Sequence, residues 1–250
     1  MKSELNKEGL FLNAAKELTQ ETIFWSHQDN PFRANIEPGD PRIVLVVGDN
    51  ASGKSFFVDN VRRIAKDISE DVSTVSISIR ERTGSGLDDM AGLRRSMMFG
   101  NESEQSTGAT SAGMIKKGFS NVLSRLEEGK KVILVLDEPE LGLAETFHRA
   151  VGELIAQEVK ALHSESEFSV LVVSHSRKLA DGLFDGLDAN PTTVTMGNHG
   201  DFEQWRLQSE DKTLEELLSL PQQGRENFRK VSGVFDSIRG IRKQQKSPGM

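Results

Sequence analysis

A chain of 250 residues, 36% hydrophobic and 28% charged, has enough material for one large domain with a full core and an ordinary polar surface. It has no cysteine, which excludes disulfides, thiolate metal sites and thiol catalysis and is expected of a reducing, cytoplasmic location. A net charge of −7 excludes nucleic-acid attraction by the surface as a whole, and the longest apolar runs, Ile43–Val47 and Val132–Leu136, are too short to span a bilayer.

Taken in chain order, the pattern alternates between helix and strand. Met1–Lys16 mixes charged and apolar residues and lacks the apolar stretch of a signal peptide. Residues 1–20 put Leu5, Leu10, Phe11, Ala14, Ala15 and Leu18 on one side of an amphipathic helix. Asn30-Pro31 and Pro38-Gly39-Asp40-Pro41 are turn chemistry flanking a short segment, Phe32–Ile36. Ile43–Val47 is continuous and β-branched, as a strand buried on both faces of a parallel sheet must be; Val132–Leu136 and Ser169–Val173 are two more of the same kind. Val75, Ile77 and Ile79 alternate with serines, which predicts a half-exposed strand.

Helical spacing separates these strands. It recurs at Phe57, Val58, Val61, Ile64 and Ile68, at Met114, Ile115, Phe119, Val122, Leu123 and Leu126, and at Phe147, Val151, Leu154, Ile155, Val159 and Leu162. Thr192–Met196 and Phe202–Leu207 flank Gly197-Asn-His-Gly200 and are expected to form a hairpin. Leu214–Lys246 is helical and polar, with a loose end from Gln244. Strand–helix alternation predicts an α/β fold, a mostly parallel sheet with helices on both faces. The expected division is a domain over residues 1–210 and a helical, basic tail over 211–250.

Gly48-Asp-Asn-Ala-Ser-Gly-Lys-Ser55 matches the phosphate-binding pattern G-x-x-x-x-G-K-[ST], with a buried strand before it and an amphipathic helix after it. Gly48 and Gly53 let the backbone curl so that the N–H groups of Asp49, Asn50, Ala51, Ser52 and their neighbours converge on phosphate oxygens. The helix from Lys54 points its positive end at the same spot. Lys54 is expected to reach the β- and γ-phosphates of ATP, and the Ser55 hydroxyl to coordinate Mg²⁺. Phe56 follows in the same turn.

Val132–Leu136 runs into Asp137-Glu138-Pro139-Glu140. An acidic residue at the C-terminal end of a parallel strand sits beside such a loop. Asp137 is therefore expected to hold Mg²⁺, directly or through water. Glu138, one residue on, faces elsewhere and is expected to take a proton from the attacking water. The third buried strand ends in Ser174-His175-Ser176, so His175 should face the same crevice and contact the γ-phosphate.

Together, Gly48–Ser55, the string Leu136-Asp-Glu-Pro-Glu-Leu-Gly-Leu143 and the strand leading to Ser174-His175 resemble the ATPase domain of the ATP-binding-cassette superfamily. Asn35-Ile-Glu-Pro-Gly39 ahead of the loop strand, and the expected late hairpin, fit that resemblance. It implies a P-loop NTPase fold with a small helical insert and a signature loop that binds the γ-phosphate of an opposite subunit. Here the matching segment is Ser106-Thr-Gly-Ala109, at the start of the helix through Met114–Leu126, with Ser106 and Gly108 as the carried residues. It departs from Leu-Ser-Gly-Gly-Gln in most positions, yet a serine and backbone N–H groups at a helix N-terminus still make an anion site. The family's glutamine loop has no counterpart in Ile79-Arg-Glu-Arg-Thr83, and Gln105 is not in the expected position. An adenine-stacking aromatic upstream of the loop is expected among Phe24, Trp25 and Phe32.

The span from Lys54 to Asp137 leaves no room for long coiled-coil arms. The likeness is to small stand-alone ATPases of bacteria and phages, of the AAA-15, AAA-21 and overcoming-lysogenization-defect type. It implies a cytoplasmic, Mg²⁺-dependent ATPase that forms a homodimer on ATP and acts on a macromolecule such as DNA. Two other readings stand beside it: the nucleotide-binding subunit of a transporter, and a nucleotide-dependent switch with negligible turnover. In the tail, Arg225, Arg229, Lys230, Arg239, Arg242, Lys243 and Lys246 outnumber Glu226 and Asp236, which fits either a solvated helix face or a nucleic-acid contact.

Overall fold

The structure is a computed structural model and describes residues 9–78, 107–162, 167–208 and 211–245. Leu5, residues 79–83, Gln105 and Ser106 lie outside the described residues. The first helix, α1 (Leu10–Lys16), widens into a π-helical turn at Glu17–Glu21 and is followed by the short α2 (Ile23–Ser26). Then come β1 (Ala34–Glu37), β2 (Asp40–Gly48), α3 (Lys54–Ile68) and β3 (Val72–Ser78). The second half contains α4 (Thr107–Glu127), β4 (Lys131–Asp137), α5 (His148–Ala161), β5 (Phe168–Val173) and α6 (Arg177–Gly186). It closes with β6 (Pro191–Met196), α7 (Phe202–Leu207) and the long α8 (Leu214–Gln245).

The six strands form one sheet in the order β1-β6-β2-β5-β4-β3, antiparallel only between β1 and β6. The continuous apolar runs occupy interior strands, β2, β5 and β4, where both faces are covered. Their alternate side chains feed two cores. Val44 and Val46 pack under α1, α2, α3 and α8 with Phe11, Phe57, Val61 and Val234. Ile43, Leu45 and Val47 pack under α4 to α7 with Phe119, Ile155, Leu183 and Trp205. At the β3 edge, Val75 is buried and Ser76 exposed, as the alternation predicts. Three members of the expected helical stripes, Ile68, Leu123 and Phe147, are exposed instead. Ile68 ends its helix, and Phe147 sits in a 3₁₀ turn ahead of α5.

The expected hairpin at 192–207 does not form. Phe202–Leu207 is helical, and β6 pairs antiparallel with β1. Asp201 caps the helix by accepting the Gln204 N–H, and Phe202 and Trp205, three residues apart, bury together on one face. Glu37 of β1 accepts the Phe202 N–H at 2.7 Å and Asn35 donates to the Gly200 carbonyl at 2.8 Å, so the partner strand also holds the turn. Among the described residues no helix is long and apolar enough to cross a membrane.

Helices α5 and α6 meet backbone to backbone. A Cβ at Gly182 would run into the Arg149 carbonyl oxygen, and one at Gly152 would lie 2.6 Å from the Leu183 nitrogen. The obstacle is main chain, so it cannot swing aside. Gly182→Ala is expected to destabilise the fold by about 2–3 kcal/mol through overpacking, a fall in Tm of about 5–10 °C. A thermal melt equal to wild type would mean that the two helices separate freely.

Candidate functional site

The loop between β2 and α3 is shaped by three residues at positive φ: Gly48 (145°), Ala51 (61°) and Gly53 (91°). At Gly48 a Cβ would strike the Met196 carbonyl, and at Gly53 it would strike the Phe32 ring. Only glycine fits either position. The first N–H groups of α3 have no acceptor within the helix and carry its positive end. A tight loop feeding a helix N-terminus in this way has the geometry to hold an anion.

Lys54 opens α3 and is only 6% exposed. Its ammonium donates to the Gly48 and Asp49 carbonyls, at 2.8 and 2.9 Å, and lies 3.2 Å from Nδ1 of His175. An ammonium has only donors, so Nδ1 must accept and the imidazole proton belongs on Nε2. Nε2 lies 3.1 Å from Oε1 of Glu138, a distance at which that proton is donated to the carboxylate. Lys54, His175 and Glu138 thus form one hydrogen-bonded chain across three elements. The expectation that His175 faces the loop holds in this geometry.

The ends of β2, β4 and β5 are laced together to make this possible. The Ser174 N–H donates to Val46 O at 3.1 Å, and the Glu138 N–H to Val173 O at 2.9 Å. Glu138 has φ of 50°, a left-handed value rare for a residue with a side chain. That bend turns Glu138 out of the line of β4, away from the strand direction of Asp137. Glu140, buried at 6% exposure, accepts from the Ser174 hydroxyl and, at 3.4 Å, from the His175 N–H. It anchors the histidine turn from behind, a positioning role not foreseen from the sequence. The signal in the sequence is the third carboxylate of Asp137-Glu-Pro-Glu140.

The cavity above the loop measures about 650 Å³ and is bounded by Asn50–Phe56, Glu138 and His175 on one side. That size is within the range of small-molecule sites, roughly 300–1,000 Å³. Its other wall is α8, through Asn227, Phe228, Val231, Phe235 and Arg239. Asn227 donates to the Ala51 carbonyl at 3.0 Å, and Phe235 stacks on Phe24 with centroids 4.9 Å apart. A second hollow of about 590 Å³ shares Asn50, Glu138 and His175 and continues along Glu140–Leu143 to Arg177 and Lys178.

Asp49 ties the loop to the region beyond β6. Its carboxylate lies 3.2 Å from His199 and 3.4 Å from Lys212. Burial pushes the Asp49 carboxyl up, but His199 and Lys212 outweigh it and hold it below the usual carboxylate range. A lowered folded pKa stabilises the fold above the unfolded value of about 3.9 and is lost as pH falls through the folded value. The carboxylate is well exposed, so water and salt screen it. Asp49→Asn is expected to cost about 0.5 kcal/mol at pH 7. That difference should shrink in urea melts taken progressively below about pH 4; a gap that widens on acidification would refute the assignment.

The remaining expected residues divide. Asp137 ends β4 and the Ser55 side chain is exposed in the first turn of α3, both at the C-terminal edge of the sheet. Thr107 and Gly108 open α4. In the parallel β3–α4–β4 crossover that helix runs back against the strands, with Arg125 near its end donating to the Thr74 carbonyl of β3. Its start is therefore at the same edge as Asp137. Phe24, Trp25 and Phe32 are all within the core at 8% exposure or less, and of the three only Phe32 lines the cavity. Phe24 is stacked on Phe235, Trp25 packs against Phe56 and Phe57, and neither ring reaches the cavity wall. No protein-family model matches this chain, and no curated protein or solved structure matches it either.

Proposed function

We propose that the chain binds ATP with Mg²⁺ at Gly48–Ser55 and hydrolyses it, as a soluble ATPase of the ATP-binding-cassette type on a P-loop NTPase fold. The observation that carries this reading is the Lys54–His175–Glu138 chain, which joins an anion cradle to a carboxylate through one imidazole. Binding alone would need only the cradle and the lysine. A carboxylate turned out of its strand and tied to the same histidine supports hydrolysis.

In this reading the loop N–H groups and Lys54 bind the triphosphate, Lys54 exchanging its loop carbonyls for phosphate oxygens. Mg²⁺ prefers hard oxygen ligands and keeps several waters. The donor types at hand, the Ser55 hydroxyl and the Asp137 carboxylate, fit it. Bound there with the phosphates, the ion would neutralise charge on the β- and γ-oxygens. Glu138 takes a proton from water as the water oxygen bonds to the γ-phosphorus and the bond to the ADP oxygen breaks. His175 lies between Lys54 and Glu138, with its N–H held by Glu140, and its role in this reading is to contact the γ-phosphate.

The reading extends to an ATP-bridged homodimer, with the Ser106–Gly108 segment of one copy closing the site of the other across a two-fold axis. Its object would be a macromolecule such as DNA; Arg225, Arg229 and Lys230 are exposed on α8 and suit a phosphate backbone. The test of the core reading is Mg²⁺-dependent phosphate release from ATP by the purified full chain. Turnover that vanishes with a chelator is expected, and release at the no-protein background would refute hydrolysis.

A further inference from the structure

The upstream aromatics are packed away, yet an aromatic ring does border the cavity with its face largely open. Phe228 lines it from α8 and is 74% exposed, the most exposed phenylalanine among the described residues. A phenylalanine left in water at the mouth of a cavity contributes little to folding. The cavity is polar at Lys54, Glu138 and His175, and aromatic or aliphatic where Phe32 and Phe56 are opposed by Val231 and Phe235. A phosphate group suits the first region and a flat heteroaromatic base the second.

Helix α8 is also fixed in position. Asn227, next to Phe228, donates to the Ala51 carbonyl at 3.0 Å, and about two and three turns further on Val234 and Ile238 are buried in the core. The ring is therefore presented at a set distance from the loop. Aromatic stacking requires only a free π face and tolerates any base.

We propose that Phe228 on α8 is the stacking platform for the base of the bound nucleotide, replacing an aromatic upstream of the loop. This rests on the nucleotide reading of the Gly48–Ser55 cavity. Phosphates contact the loop, and the base lies against α8. The helix that reads as a basic tail in the sequence then forms part of the nucleotide site.

Calorimetric titration of the full chain with Mg²⁺-ATP and, separately, with Mg²⁺-tripolyphosphate separates the two ends of the cavity. Phe228→Ala should weaken ATP about tenfold, while leaving tripolyphosphate unchanged. Phe228→Trp should retain ATP affinity, and its indole emission should change on ATP but not on tripolyphosphate. The exposed ring makes both variants safe for the fold, and thermal melts equal to wild type verify it. Unchanged or tighter ATP binding by Phe228→Ala would overturn the platform and leave the ATPase reading standing. Equal weakening of both ligands would also overturn it, since the loop itself would then be disturbed. Wild-type protein that binds neither ligand would overturn both the platform and the nucleotide reading.

Discussion

Lys54→Ala is expected to lower ATP turnover by at least about a thousandfold, the scale of a lost electrostatic contact in phosphoryl transfer. The reason lies in where the ammonium sits. It is buried at the start of α3 and links the loop carbonyls to His175, so it is the one cation held rigidly inside the cradle among the described residues. Arg239, the other cation on the cavity wall, is a long exposed side chain on α8 and cannot substitute for it. The fold should persist, because Phe57, Val58 and Val61 of the same helix anchor α3 in the core. Phosphate release and a thermal melt measured together make the check. Turnover unchanged in this variant, with the fold intact, would remove Gly48–Ser55 from the proposed active site.

Glu138→Gln is expected to slow hydrolysis by about 10²–10⁴-fold, the usual contribution of a general base. The change keeps the shape and the acceptor oxygen, so the hydrogen bond from His175 survives, and only proton acceptance is lost. ATP should remain bound. If ATP is sandwiched between two copies, this variant should gather as a dimer with ATP and Mg²⁺ but not with ADP, because ligand held by the dimer draws the equilibrium towards it. Light scattering with each nucleotide reads that directly. Normal turnover would move the base to Asp137, and a strictly monomeric mass at saturating ATP would contradict the composite site.

Much of this arrangement is legible in the sequence because its causes are local. Strands buried on both faces must be continuous and apolar, so Ile43–Val47, Val132–Leu136 and Ser169–Val173 announce themselves. The residues following them, Gly48, Asp137 and His175, inherit a common edge from the parallel order of β2, β5 and β4. Phe202–Leu207 reads as a strand because six residues carry too little pattern; Phe202 and Trp205 also fit a helical face, and only Asp201 as a cap tips the choice. Phe24, Trp25 and Phe32 look equally able to stack a base until tertiary packing consumes Phe24 and Trp25. The role of α8 was hidden for the opposite reason. Val231, Val234 and Ile238 mark a buried side of a helix, but nothing within the helix says which surface it will meet. Its docking against the Gly48–Ser55 loop, through Asn227 and Ala51, is a long-range fact that no local pattern encodes.

The most direct test of the central claim is steady-state phosphate release from Mg²⁺-ATP by the purified wild-type chain, with Lys54→Ala and Glu138→Gln run beside it. The account predicts measurable turnover in the wild type, abolished by chelation of the metal and reduced at least about a hundredfold in both variants. Equal release by all three proteins, or none above background in the wild type, would contradict it.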